Sequence, residues 1–270
     1  MVRNLIFTLL LLGSSANAQE IRGIVVDAQG QRPAEFVNVG IRGKNIGTVT
    51  DERGRFSLVV DAQYDKDTVL FSMLGYETQT VTVSDLRKTV EHVIQLVPKV
   101  YELAEAHVKP RTFKEHILGV RSTKKWLVAG FAEDRLGDEY GILMKAKKAV
   151  FLKQLNLNVA QCTYDTVFFR LNVYEVRGEM DFVNILREPI YIKVAKARIQ
   201  DKIEIDLGSR NIVVEGDFVV ALEHVKDLGE GNLMFCAGLS EKTYFRKTSQ
   251  GNWQTSPVGI SLSVLADVEK

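Results

Sequence analysis

From Val167 to Tyr174 the chain alternates without a break. Val167, Phe169, Leu171 and Val173 are in phase, with Phe168, Arg170, Asn172 and Tyr174 between them. Successive side chains of a strand project to opposite faces, so a run of period two folds as a strand with one face in a core. The same period marks Leu155, Leu157 and Val159, then Ile190, Ile192 and Val194, then Ile203, Ile205 and Leu207, then Phe218, Val220 and Leu222. Further strands are predicted at Leu233–Leu239, Thr243–Lys247 and Ile260–Val264. One buried and one wet face per strand is the pattern of an antiparallel sandwich. Eight or nine such strands predict a jelly-roll-like sandwich over residues 139–270.

Residues 19–97 are different. Their strands are short and turn signals recur about every 8–12 residues, which favours a second, smaller all-β unit. Four glycines fall within NVGIRGKNIGTVTDERG: Gly40, Gly43, Gly47 and Gly54. A phosphate-binding loop needs a strand before it, a helix after it and Ser or Thr after Gly-Lys. Here strands flank the stretch and Asn45 follows Gly43-Lys44. The glycines are therefore read as turn residues. Gly54 closes a hairpin, Gly43 and Gly47 flank a second tight connection, and Gly30 and Gly75 mark two more turns. Residues 98–138 are irregular and read as linker and entry segment.

Ile21-Arg-Gly-x-Val-x-Asp…Gly30…Pro33…Val37-x-Val39-x-Ile41-x-Gly43…Gly47-Thr-x-Thr-Asp-x-x-Gly54-x-Phe-x-Leu58, followed by Val69-x-Phe-Ser-x-Leu-Gly-Tyr76, resembles the carboxypeptidase regulatory-like domain family. The resemblance implies a transthyretin-like sandwich of about seven strands. It also implies the settings of that family, beside zinc carboxypeptidases or at the N-termini of TonB-dependent outer-membrane receptors. Neither host is evident. His92, His107, His116 and His224 lack the H-x-x-E spacing of the zinc enzyme, and the stretch after the domain is short for a receptor plug and barrel. The later region resembles the C-terminal part of stand-alone secreted proteins that carry this domain, which brings no activity with it.

Residues 1–18 have a charge at Arg3, an apolar run from Leu5 to Leu12 and an Ala16-Asn17-Ala18 end. That is the layout of a cleaved secretory signal, too short to span a bilayer, which needs roughly 20 residues. No cysteine follows the cleavage point, so a lipoprotein is not expected. The expected location is the periplasm, outer membrane or surface of a Gram-negative cell, with no later transmembrane segment. Cleavage removes Arg3 and no acid, leaving basic and acidic residues balanced. A neutral chain has no field to hold nucleic acid. Export permits a Cys162–Cys236 disulfide, and two buried thiols fit the sequence equally well.

No catalytic constellation or cofactor motif is evident. Asp61, Asp65 and Asp67 have the alternate oxygen spacing of a weak calcium candidate, without the glycine and terminal Glu of an EF-hand loop. Asp134, Asp138 and Glu139 stand in the same position. His224, in phase with Phe218, Val220 and Leu222, reads as a core or rim residue. Glu175, Glu215 and Glu223 read as outward-facing strand residues, though a carboxylate pair is spatial and sequence does not exclude one. Trp126, Trp253, Tyr244 and Tyr140 offer flat faces for a sugar platform. The expected function is a non-catalytic envelope module that binds a protein partner in a surface complex. A polysaccharide-binding accessory is the alternative, and a hydrolase comes third.

Overall fold

The computed structural model describes residues 18–100 and 112–270. The expected signal peptide, apart from Ala18, lies outside the described residues, as does the stretch 101–111 of the expected linker.

The first sandwich is built from β1 (Ala18–Asp27), β2 (Asn38–Ile41), β3 (Ile46–Val49), β4 (Arg55–Asp61), β5 (Thr68–Ser72), β6 (Gln79–Thr82) and β7 (His92–Leu96). A three-stranded sheet of order β4-β1-β7 faces a four-stranded sheet of order β3-β2-β5-β6. β1 runs antiparallel to β4, with Ile21 opposite Leu58, and parallel to β7, with Val25 opposite Ile94. Val25, Leu58 and Val60 meet Val39, Val69 and Phe71 in the core. Phe56 and Phe71 pack edge to face, ring centroids 5.3 Å apart. The Asp51–Gly54 turn forms because the Asp51 carboxylate accepts from the amides of Arg53 and Arg55, both at 2.8 Å. Gly54 adopts φ +72°, and a Cβ there would stand 2.4 Å from the Val25 carbonyl oxygen.

Thr50 is buried, and its hydroxyl joins the two ends of the β2–β3 region. It accepts from the Val37 amide and donates to the Ala34 carbonyl, each at 2.8 Å. Thr50→Val keeps the volume and orphans both backbone groups. The expected cost is about 1–3 kcal/mol in chemical denaturation, against under about 0.5 kcal/mol for Thr80→Val on the exposed side of β6.

The second sandwich comprises β8 (Phe113–Gly119), β9 (Val128–Phe131), β10 (Glu139–Met144), β11 (Ala149–Cys162), β12 (Thr166–Gly178), β13 (Asp181–Asn184), β14 (Ile190–Ala195), β15 (Lys202–Asp206), β16 (Val213–Glu215), β17 (Phe218–His224), β18 (Leu233–Gly238), β19 (Thr243–Arg246), β20 (Gln254–Ser256), β21 (Gly259–Ile260) and β22 (Leu262–Glu269). A seven-stranded sheet centres on β12, β17 and β10, and an eight-stranded sheet on β11 and β22. Phe169, Leu171 and Val220 of one meet Leu155, Leu157 and Val264 of the other in the core. There are more strands than the eight or nine expected, because β11 and β12 are long enough to take several short partners each. Residues 98–138, read as linker and entry, contribute β8 and β9, both hydrogen-bonded into the eight-stranded sheet. β8 carries no periodicity signal because it is an edge strand with almost every residue exposed, so no apolar face marks it.

The two sandwiches are in contact. The outer face of the seven-stranded sheet, predicted to be wet, is covered in part by the first sandwich. Phe36 and Val49 of the first form a shared apolar cluster with Val225, Phe168 and Tyr191 of the second. The Phe36 ring lies 5.2 Å from Phe168 and 5.3 Å from Tyr191. Phe36 reaches this place with φ +56°, a backbone region unusual for a bulky side chain.

Candidate functional site

The alternation along β12 puts Arg170, Asn172 and Tyr174 on one face, opposite the core face of Phe169, Leu171 and Val173. Antiparallel pairing sets Arg170 across from Glu223 on β17. Glu223 in turn lies across from Glu139 on β10, and Glu139 across from Arg246 on β19. The result is one row over four strands with charges in the order plus, minus, minus, plus. Glu139 and Glu223 are fully buried and Arg170 is 2% exposed.

The row is densely bonded. The Arg170 Nε and Nη2 donate to Glu223 Oε2 at 3.0 and 2.7 Å. Asn172 Nδ2 donates to both carboxylates, and the Tyr174 hydroxyl donates to Glu139, all at 2.8 Å. Arg246 Nε donates to Glu139 Oε2 at 2.7 Å. Burial drives Glu223 upward, but the Arg170 and Arg246 charges outweigh it and hold its carboxyl below the usual range. At Glu139 burial wins, only partly opposed by Arg246, and the carboxyl is pushed above its usual value. Glu223, read as outward-facing, is thus buried. Its face meets Arg170 and a second sandwich instead of water, which is what a buried carboxylate requires.

Arg170 also ties the two sandwiches. Its Nη1 donates to the Phe36 carbonyl at 2.7 Å and its Nη2 to Asn38 Oδ1 at 2.5 Å. The loop after β19 adds Ser249 Oγ to Asn38 at 3.2 Å, Gln250 Nε2 to Ser72 at 2.9 Å and Asn252 Nδ2 to the Gly43 carbonyl at 2.9 Å. Close approach explains Gly47. It lies inside β3 and needs no positive φ, but a Cβ there would stand 2.1 Å from the Ser249 carbonyl oxygen. The remaining turn assignments also have distinct forms. Gly43 and Gly75 have positive φ, whereas at Gly30 the left-handed residue is the next one, Gln31.

Beside the charged row, a cavity of about 270 Å³ opens between the sandwiches. Arg170, Asn172, Arg246 and Gln250 line it from one side, and Ser72, Tyr76 and Lys99 from the other. A separate open cleft of about 800 Å³ carries Glu175, Glu188 and Glu215 on its rim. Glu175 is bonded to Arg177 at 3.3 Å and Glu188 to Arg210 at 3.4 Å.

The other sequence candidates are dispersed. Asp61 caps a short 3-10 turn through the Gln63 amide at 2.9 Å, and Asp65 pairs with Arg87 at 2.6 Å. Among the described residues no three His, Cys, Asp or Glu side chains converge as a metal site. Cys162 and Cys236 are free thiols on neighbouring strands, with Cys162 opposite Leu233. Trp253 and Tyr244 meet at Phe182, which is 5.2 and 5.4 Å from their rings. Trp126 is 73% exposed beside β9, on the other sheet. Tyr140 stacks on Phe245. His224, read as a core or rim residue, is fully buried, with Nε2 2.7 Å from the Lys226 carbonyl oxygen and from Asp134. Burial lowers its pKa to about 4, so the ring is neutral and Nε2 carries the proton.

Asp138 is buried, its carboxylate accepting a long 3.4 Å hydrogen bond from the Tyr140 hydroxyl, while its Oδ1 has no hydrogen-bond partner. Burial pushes its pKa from 3.8 up to about 7. The folded state therefore holds a proton that the unfolded state releases, and this group's contribution falls as pH rises from about 4 to about 7. Asp138→Asn is expected to raise stability above pH 7 by on the order of 2–4 kcal/mol and to flatten that part of the Tm–pH curve. A thermal melt series from pH 4 to 8 on both proteins checks it.

Comparison with known proteins agrees with the first sandwich. Residues 21–108 match the model of the CarboxypepD_reg-like domain family. No curated protein matches the chain. Among solved structures, the chain is similar to BcpA, the major pilin subunit of Bacillus cereus, at 13% identity over 90% of this chain and 68% of that one, with a TM-score of 0.19. It is also similar to the VP2 subviral particle of infectious bursal disease virus, at 7% identity over 87% and 60%, with a TM-score of 0.20. Superpositions this loose carry no argument about arrangement or function. The sandwich of β1–β7, its Gly54 hairpin and the family match together identify residues 21–108 as a CarboxypepD_reg-like domain.

Proposed function

We propose that the chain is a non-catalytic exported envelope protein, an interaction module that adds a partner's extended segment to its own sheet. The observation that carries this reading is β8. It pairs with β22 along its length, and no other strand pairs with it among the described residues. Phe113 is 41% exposed and Ile117 47% exposed on this edge. An unpaired strand edge offers a row of backbone donors and acceptors, and exposed side chains at alternate positions give it selectivity. Two of the three carboxylates named as hydrolase candidates, Glu223 and Glu175, each bond an arginine, which favours the non-catalytic reading.

The test is in-cell photocrosslinking of the tagged chain 19–270, with the crosslinking side chain at position 117 or, as a control, at position 177 on the β12–β13 hairpin. The reading expects one envelope protein captured from position 117 alone. The same captured set from both positions contradicts it. Glycan binding is a second reading, favoured by the half-buried aromatic group of Phe182, Tyr244 and Trp253. It predicts polysaccharide binding that Trp253→Ala removes.

A further inference from the structure

The cavity between the sandwiches has an unusual charge pattern. Three cationic side chains line it, Lys99 from the first sandwich and Arg170 and Arg246 from the second, and no Asp or Glu is among its lining residues. The acids that balance the arginines, Glu139 and Glu223, are fully buried in the sheet. Two of the three cations have donors that none of the described residues engages. Arg246 is fixed through Nε on Glu139 and by its position 5.0 Å over the Trp253 ring, yet its Nη1 has no hydrogen-bond partner among the described residues. The Lys99 ammonium has no ion-pair partner among them either. Leu74 and Leu186 supply an apolar wall. A guanidinium held in place by packing and a second-layer carboxylate loses little freedom on binding, and its planar fork suits an oxyanion.

We propose that this cavity is a binding site for a small oxyanion, a carboxylate or phosphate group on a molecule no larger than a small organic acid or phosphate ester. The anion bridges the Arg246 edge and the Lys99 ammonium. It therefore holds the two sandwiches together, and ligand binding stabilises the docked arrangement by mass action.

The probes are inorganic phosphate and, separately, succinate, titrated calorimetrically into the full chain at low ionic strength. The expected result is one saturable site for at least one probe, with Kd at or below about 1 mM. Saturation by succinate alone assigns a carboxylate ligand, and by phosphate alone a phosphate. Lys99→Glu, an exposed change that leaves Tm unaltered, is expected to weaken binding at least about tenfold through charge reversal. Lys88→Glu, on a residue bonded to Asp85 away from the cavity, leaves it unchanged. The proposal is overturned if neither probe saturates by about 10 mM, or if Lys99→Glu and Lys88→Glu have equal effects.

Discussion

Arg170→Ala is expected to cost about 3–5 kcal/mol. The reason is asymmetry. Arg170 donates to Glu223, to the Phe36 carbonyl and to Asn38. Truncation leaves a fully buried carboxylate beside Glu139, with Arg246 Nη2 3.9 Å from its free oxygen. Two adjacent buried acids then share one arginine, so Glu223 takes up a proton at neutral pH. Urea denaturation at pH 7.5 and pH 5.5 measures this. The variant is expected to regain part of its loss at the lower pH. The double change Arg170→Met, Glu223→Leu removes both charges and is expected to be less destabilised than Arg170→Ala, because well-packed apolar pairs often replace buried ion pairs at little cost. A double variant as weak as the single one would show that packing of the arginine stem, and not the orphaned charge, sets the cost.

Gly47→Val is expected to separate the sandwiches without unfolding either. The added Cβ would stand 2.1 Å from the Ser249 carbonyl oxygen, a backbone atom that can move only by displacing the whole loop from β2 and β3. Overpacking of this kind typically costs about 1–3 kcal/mol. Here the strain falls on the interface alone, since valine suits a strand. Small-angle scattering is expected to show a larger radius of gyration than the parent chain, while far-ultraviolet dichroism stays unchanged. An unchanged radius would mean that the loop yields instead.

The parts of the fold legible in the sequence were those governed by period and turn chemistry. Phe169 and Leu171 alternate because they face a core, and Gly54 follows Asp51 because the hairpin needs a left-handed residue. The same alternation could not say what lies against Arg170, Asn172 and Tyr174. A polar face looks alike whether water or another sandwich covers it. What distinguishes the cases is complementary charge from Glu223, Glu139 and Arg246, which only strand order and register bring into a row with Arg170. Gly47 looks like a turn glycine in the sequence for a related reason, because the backbone that crowds it comes from Ser249, far along the chain. β8 was hidden by being an edge, with charged residues between Phe113 and Ile117 on a strand that has no buried face.

The two sandwiches form one docked unit through Arg170, which the buried row holds in place, and through the loop after β19. Scanning calorimetry of the chain 19–270 tests it most directly. The expected result is a single cooperative transition in the parent protein that splits into two in Gly47→Val. Two separate transitions in the parent, each unaffected by Arg170→Ala or Gly47→Val, would contradict it.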